Sequence, residues 1–312
     1  MNKKVVVLGG GTGMSTLLRG LKKFPVDITA IVSVCDDGSS TGLLREEFNI
    51  IAVGDIRKVI IALSETEPLF ERLLNYRFSK ESTLNGHPVG NLLLTALSDI
   101  SGNMSEGIET IGKVLKLKGK VLPLTDDRVT LMAKMKDGEI VEGEHNITDC
   151  EKVIEKVFYK ENPKINDKAL QAIEEADLII LSMGSLYTSV IPNLLSEEIL
   201  NKLDESKAKI MYVCNMMTQP GETDHFKVSD HINVLNKYLG KKKISVVLTN
   251  KGRIKEDILK EYEIKEQKDQ VELDRKNIKN VKIIASNYVT IENNVIRHDA
   301  DKVSLDIFSY LL

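Results

Sequence analysis

The chain has 312 residues, 42% of them hydrophobic, and its 43 basic and 46 acidic residues leave a net charge of −3. This is a globular composition of one large α/β domain or two modest ones, and it excludes a global basic field that would draw the chain to nucleic acid or a membrane. Aromatic residues are only 5% of the chain, with no Trp, which argues against stacking on single-stranded nucleic acid. Cys35, Cys150 and Cys214 are far apart and form no CxxC pair. Zinc ligation and a disulfide framework are therefore not expected, and a reducing compartment is. The first apolar run is too short for a signal-peptide core and no later one approaches a membrane span, so the expected location is the cytoplasm, with no membrane insertion.

In chain order, Lys4–Leu8 reads as a strand and Ser15–Lys23 as a helix with Leu17, Leu18 and Leu21 on one face. Asp27–Val34 is a second strand, which completes a βαβ unit. Gly54–Leu63 is helical, and Pro88-Val89-Gly90-Asn91 opens another helix whose apolar side is Leu92, Leu93 and Leu97. Val121–Leu124, Val129–Lys136 and Glu139–Glu142, with a turn at Asp137-Gly138, predict a small β insertion at about 118–148. The α/β rhythm then returns, with a helix at Lys168–Glu175 and strands at Asp177–Leu181, Lys209–Cys214, Ile244–Leu248 and Lys282–Ala285. The charge run Lys251–Lys279 reads as a solvated helix or loop, and a helix around Ser304–Leu312 closes the chain. With no repeat and no low-complexity linker, the economical reading is one doubly wound, Rossmann-like α/β domain over 1–312 with a mostly parallel sheet.

Four polar clusters follow apolar strands: Gly9–Ser15, Asp36–Thr41, Gly184–Ser189 and Asn215–Thr223. In open parallel sheets ligands bind beyond the carboxyl ends of the strands, so parallel neighbours would put these clusters on one rim. In the first, Gly10, Gly11, Thr12 and Gly13 form a strand-to-helix turn suited to a phosphate. Met14 stands at the third glycine position of the dinucleotide fingerprint, which counts against NAD, and no Lys-Ser or Lys-Thr follows, which excludes a P-loop NTPase. Asp36 stands where a Rossmann enzyme keeps its ribose-binding acid. The adjacent Asp37 is placed to hold Mg²⁺ or accept a proton, although neighbours at a strand end point opposite ways and one of the two acids could simply cap the turn. Arg57 and Arg45 are candidate phosphate partners, and Asn91 and Asn215 carry amides that can read a base or sugar edge. The third and fourth clusters add Gly184, Ser185, Thr188 and Gln219 as candidate ligand contacts. His87 is a lone loop histidine and receives no role.

Taken together, Gly9–Ser15, Asp36-Asp37-Gly38 with Gly42 and Arg45, Gly54-Asp55-Ile56-Arg57, Gly90–Leu94, Gly184–Leu195 and Met217–Thr223 resemble the gluconeogenesis factor family, bacterial proteins related to 2-phospho-L-lactate transferase. The chain departs from the family pattern at Ser39, Lys58 and Ser182-Met183. The resemblance implies a Rossmann-like fold that binds a UDP-sugar such as UDP-N-acetylglucosamine. It also implies a part in cell morphology and cell-wall precursor balance on gluconeogenic carbon, with a homo-oligomer and cell-wall pathway proteins among the partners. The competing expectation is a Mg²⁺-dependent phospholactyl or phosphoryl transferase; an NAD-dependent oxidoreductase ranks below both.

Overall fold

The computed structural model describes residues 2–65, 67–78, 84–292 and 295–312. Its strands are β1 (Lys3–Gly9), β2 (Val26–Val32), β3 (Lys120–Pro123), β4 (Leu131–Met135), β5 (Ile140–Glu142), β6 (Ile154–Tyr159), β7 (Leu178–Leu181), β8 (Lys209–Val213), β9 (Ile244–Asn250), β10 (Lys282–Ser286), β11 (Val289–Glu292) and β12 (Val295–His298). Seven of them form one sheet in the order β10-β9-β8-β7-β1-β2-β3, with every neighbouring pair parallel. Helices flank it, so its strands are buried on both faces. That explains unbroken apolar runs such as Val5–Leu8 and Leu178–Leu181 where an exposed sheet would alternate. The chain lays down β1, β2 and β3 in one direction, then returns to the other side of β1 with β7 and continues outwards through β8 to β10. Strand order therefore reverses between β1 and β7, and a crevice opens at their carboxyl ends.

The β insertion is present but displaced along the chain. The strand expected at Val121–Leu124 lies in the central sheet, where Thr29 to Val32 of β2 pair with Lys120 to Pro123. The insertion is instead the antiparallel sheet β5-β4-β6 with the short helix Glu144–Asp149. Its third strand, β6, carries charged Glu155 and Lys156 side by side between buried Ile154 and Val157, which breaks the alternation that marks a strand.

Two helices also differ from expectation. The first spans Gly11–Leu21, so the glycine turn is its first turn and not a lead-in. The helix Val89–Ser101 buries Gly90, Asn91, Leu94, Thr95 and Ser98, whereas Leu92, Leu93 and Leu97 are only partly covered. The charge run forms a helix at Glu256–Glu266, joined to the β11–β12 hairpin by a small apolar cluster of Met216, Ile254, Tyr262 and Ile296, apart from the main core. Among the described residues no helix is long and apolar enough to cross a membrane.

Ile180 is fully buried at the centre of β7 and pairs with Val7 of β1. Ile180→Ala should cost about 2–5 kcal/mol of unfolding free energy by chemical denaturation; an unchanged midpoint would show that the core does not centre on this strand pair.

Candidate functional site

The crevice at the switch point holds a cleft of about 500 Å³. Its floor is the start of the helix Gly11–Leu21. Gly10 caps this helix in an extended conformation with no side-chain hydrogen bond, and Gly11 takes a φ of +70°, open to glycine. Gly11, Thr12 and Gly13 line the cleft, so the first-turn N–H groups and the positive end of the helix face it. Each glycine here also has a packing reason. A Cβ on Gly13 would lie 1.9 Å from the Met183 carbonyl oxygen, one on Gly10 2.6 Å from Asp55 Oδ2, and one on Gly9 2.0 Å from Ser182 Oγ.

The second wall is the loop after β7, Met183-Gly184-Ser185, which runs into a single π-turn at Leu186–Val190. Its organiser is Glu222, which is buried with no cation paired to it among the described residues. Its carboxylate accepts from Ser185 Oγ (2.7 Å), the Tyr187 N–H (3.0 Å) and Gln219 Nε2 (2.7 Å), and burial pushes its pKa up. Ser185 Oγ also lies 2.6 Å from Thr188 Oγ1. The third wall is the loop after β8: Asn215 Nδ2 donates to the Gly184 carbonyl at 2.9 Å, which leaves its buried Oδ1 without a partner.

The far side of the cleft comes in part from the charge run that reads as solvated and in part from a strand that the sequence does not mark. Tyr262, Glu266 and Lys268 belong to the charge run, and Val295 to His298 form β12. The Tyr262 hydroxyl accepts from the Ile296 N–H at 2.8 Å and ties the helix to the hairpin. His298 donates through Nε2 to the Cys214 carbonyl at 3.1 Å, and burial pushes its pKa down to about 4, so it stays neutral at pH 7. Lys268 is paired with Glu266. Arg297 is exposed and has no ion-pair partner among the described residues, so it is the cation available to an anionic ligand. No sequence signal marks Arg297, because its place depends on how the hairpin folds back.

Behind Gly10 lies a second, acidic compartment. Asp36 and Asp55 flank the starts of the glycine turn and of the helix Gly54–Leu63: Asp55 faces Gly10, and a Cβ on Gly54 would lie 2.7 Å from Asp36 Oδ2. Glu144 of the insertion joins them. Burial, then the Asp36 charge, push its pKa up to about 7, while a hydrogen bond with Thr188 opposes the shift. Burial, then the Asp55 charge, also raise Asp36. Lys58 pairs with Asp55 Oδ1 at 2.9 Å. Thr188 thus stands between the two compartments: its Oγ1 lies against Ser185 Oγ in the cleft wall, and its hydroxyl opposes the upward shift of Glu144 behind it.

Of the residues singled out from sequence, Gly11, Thr12, Gly13, Gly184, Ser185, Asn215 and Gln219 line the cleft, and Gly10 and Thr188 lie directly behind it. Asp36 lies in the acidic compartment. Asp37 diverges from it: its two oxygens accept the Glu144 and His145 N–H groups (3.1 and 2.8 Å), so it caps the insertion helix instead of facing the cleft. Arg45 is buried and donates to the carbonyls of Cys35, Asp36 and Val129, a brace for the β2 loop. Arg57 and Asn91 are bonded to each other at 2.9 Å, and Asn91 reaches Ser40, which meets His87 Nδ1 at 2.9 Å. This buried chain runs beneath the helix Val89–Ser101, outside the cleft lining.

Comparison with known proteins agrees with this architecture. The family model of 2-phospho-L-lactate transferase CofD matches residues 5–289. A Clostridium acetobutylicum protein is 47% identical over 308 residues, covering 96% of this chain and 68% of that protein. The Bacillus subtilis protein named gluconeogenesis factor is 45% identical over 306 residues and 96% of both chains. The chain belongs to the gluconeogenesis factor family, within the wider family of 2-phospho-L-lactate transferase CofD. A crystal structure of a Bacillus halodurans protein, 44% identical, superimposes with a TM-score of 0.95 over 99% of this chain and 100% of that one.

The acidic compartment gives a pH test. An unfolded Glu144 releases its proton near the ordinary 4.5, whereas the folded chain keeps it until about 7. The folded state therefore holds more protons in that window, and stability falls as pH rises through it and levels off above. Glu144→Gln, measured in EDTA, should remove the share of this fall that Glu144 contributes and gain on the order of 3 kcal/mol on the wild type between the ends of the window. Parallel stability profiles for the two proteins would show that Glu144 titrates normally.

Proposed function

We propose that this protein is a cytoplasmic nucleotide-sugar-binding protein of the UDP-N-acetylglucosamine type, acting in cell morphology and cell-wall precursor balance during gluconeogenic growth. The observation that carries the reading is the uncapped first turn Gly11–Gly13 opening into the cleft opposite the unpaired Arg297. A diphosphate accepts N–H donors and neutralises an arginine, so both ends of that arrangement suit it. The volume lies within the roughly 300–1,000 Å³ of small-molecule sites. Asn215 and Gln219 line the cleft and carry amides of the kind that reads a base or sugar. The residues around the cleft are hydrogen-bonded to one another for shape, with Ser185 held by Glu222, as suits a binding site.

A second reading, a Mg²⁺-dependent phospholactyl or phosphoryl transferase, is favoured by one observation: Glu144, Asp36 and Asp55 lie together one turn behind the glycines. Among the described residues no three Asp, Glu, His or Cys side chains converge as a ready metal cage. The oxygen donors Asp36 and Asp55 nevertheless fit Mg²⁺, which takes one or two carboxylates and completes its shell with phosphates and water. A bound Mg²⁺ would supply charge neutralisation for a phosphoryl group. In this reading Glu144, pushed up to about 7, accepts the proton of an acceptor hydroxyl.

Titration calorimetry separates the two. UDP-N-acetylglucosamine should give saturable heat without Mg²⁺, and Arg297→Ala should weaken binding by roughly ten- to a hundredfold, the value of a charge-assisted bond. No heat with any uridine diphosphate sugar at millimolar ligand would sink the binding reading. Release of nucleoside monophosphate from a phospholactyl nucleotide with a deazaflavin acceptor and Mg²⁺ would establish the transferase.

A further inference from the structure

A cavity of about 890 Å³ opens at the other end of the central sheet. Lys4 to Val6 at the start of β1 and Val26 to Thr29 at the start of β2 line it. The strands are parallel, so the cavity and the cleft lie at opposite ends of the same sheet, and they share no lining residue. The helix Gly11–Leu21 runs between them: its first turn is the cleft floor, and Lys22 and Lys23 just past its end line the cavity.

The cavity wall is basic in a chain whose net charge is −3. Among the described residues, lysines line it from four segments: Lys4 on β1, Lys22 and Lys23 after the first helix, Lys118 and Lys120 at the start of β3, and Lys168 on the helix Asp167–Glu174. Against them stand the acids Asp27 and Glu175, and Glu175 takes Lys4 at 2.7 Å. Lys23, Lys118 and Lys168 pair with Asp301, Glu65 and Glu109, which lie outside the lining, and the side chains of all three pairs are largely exposed. Exposed pairs of this kind are worth little, so these ammonium groups are free to turn to a ligand. Lys120 is exposed and has no ion-pair partner among the described residues.

Lysines at this end of a parallel sheet ordinarily offset the negative carboxyl ends of its helices. Lys22 does so: its Nζ donates to the Ser64 carbonyl at 2.6 Å, just past the helix Gly54–Leu63, and burial pushes its pKa down. Lys120 does not. It follows Gly119, where a Cβ would lie 2.8 Å from the Ile28 carbonyl oxygen, so close backbone packing on β2 holds this stretch at the cavity. Between the lysines the wall is apolar, with Phe24, Leu122 and Ala172 half-buried.

Cations around the wall with carbon between them match a molecule of the converse layout, anionic groups around a carbon skeleton. Lysine ammonium groups are compact point charges on flexible stems and serve phosphate and carboxylate alike. The volume lies within the roughly 300–1,000 Å³ of small-molecule sites. We propose that this cavity is a second ligand site of the protein, one that takes a small organic polyanion. It stands whatever occupies the cleft.

Titration calorimetry of the full chain tests this at physiological ionic strength, where diffuse attraction is screened. Two probes have the required layout: inositol hexakisphosphate for phosphates, and mellitate, the hexacarboxylate of benzene, for carboxylates. At least one should bind saturably, one molecule per chain, and the tighter of the two identifies the anion. Lys120→Glu with Lys168→Glu, both on exposed positions, should weaken it by at least roughly tenfold with an unchanged far-UV circular dichroism spectrum. Arg297→Ala in the cleft should leave it unchanged, as should the charge-matched control Lys237→Glu with Lys276→Glu. Lysine acetylation of the wild type gives a check without variants: bound probe should protect Lys23 and Lys120 and leave Lys237 and Lys276 reactive. No saturable heat with either probe at millimolar concentration overturns the proposal. Equal weakening by the control pair, loss of binding in Arg297→Ala alone, or labelling that the probe leaves unchanged overturns it too.

Discussion

The site depends on a contact in which no side chain takes part. Gly13 and the Met183 carbonyl approach so closely that a single methyl group would separate them. That approach seats the first turn of the helix Gly11–Leu21 against the loop after β7, at the point where the strand order reverses. The open N–H groups, the uncapped helix end and the walls of the cleft all follow from it. Gly9 and Gly10 extend the same principle to Ser182 and Asp55, so the turn is fixed on three sides by neighbours that need its missing side chains. The glycines therefore serve packing and the ligand together.

Around this turn the molecule keeps two polar compartments apart. The cleft in front mixes backbone N–H groups, hydroxyls and amides with apolar side chains such as Met183 and Ile296, and carries Arg297, which has no ion-pair partner among the described residues. The space behind is acidic, and burial, then neighbouring carboxylate charge, pushes Asp36 and Glu144 up. Thr188 stands between them, with Oγ1 against Ser185 Oγ in the cleft wall and its hydroxyl opposing the upward shift of Glu144. Asp37 has a mechanical part, clamping the insertion helix that carries Glu144 into place. The insertion is thus a wall of the acidic compartment. The helix–hairpin pair with its own small core plays the matching part for the cleft.

Much of the central sheet was legible because strands buried on both faces must be apolar throughout, and the polar clusters follow them directly. Seven of the residues expected to touch a ligand do line one cleft. What stayed hidden depended on long-range pairing. Val121–Leu124 is an apolar run wherever it pairs, so its membership of the central sheet was invisible locally. Asp37 meets amides 107 and 108 residues away, and nothing near it in sequence marks them. Periodicity identified the apolar stripe of Val89–Ser101 but not which way it faces, since a moment separates two sides of a helix without saying which one meets the core. The charge run held the reverse surprise: Tyr262 and Lys268 reach the cleft from a segment whose composition reads as solvent.

The most direct test is a crystal structure of the protein soaked with UDP-N-acetylglucosamine. The expected result is a diphosphate on the Gly11, Thr12 and Gly13 N–H groups, with Arg297 turned onto it and the base or sugar against Asn215 and Gln219. A nucleotide seated elsewhere, with the first turn of the helix left open, would contradict the assignment.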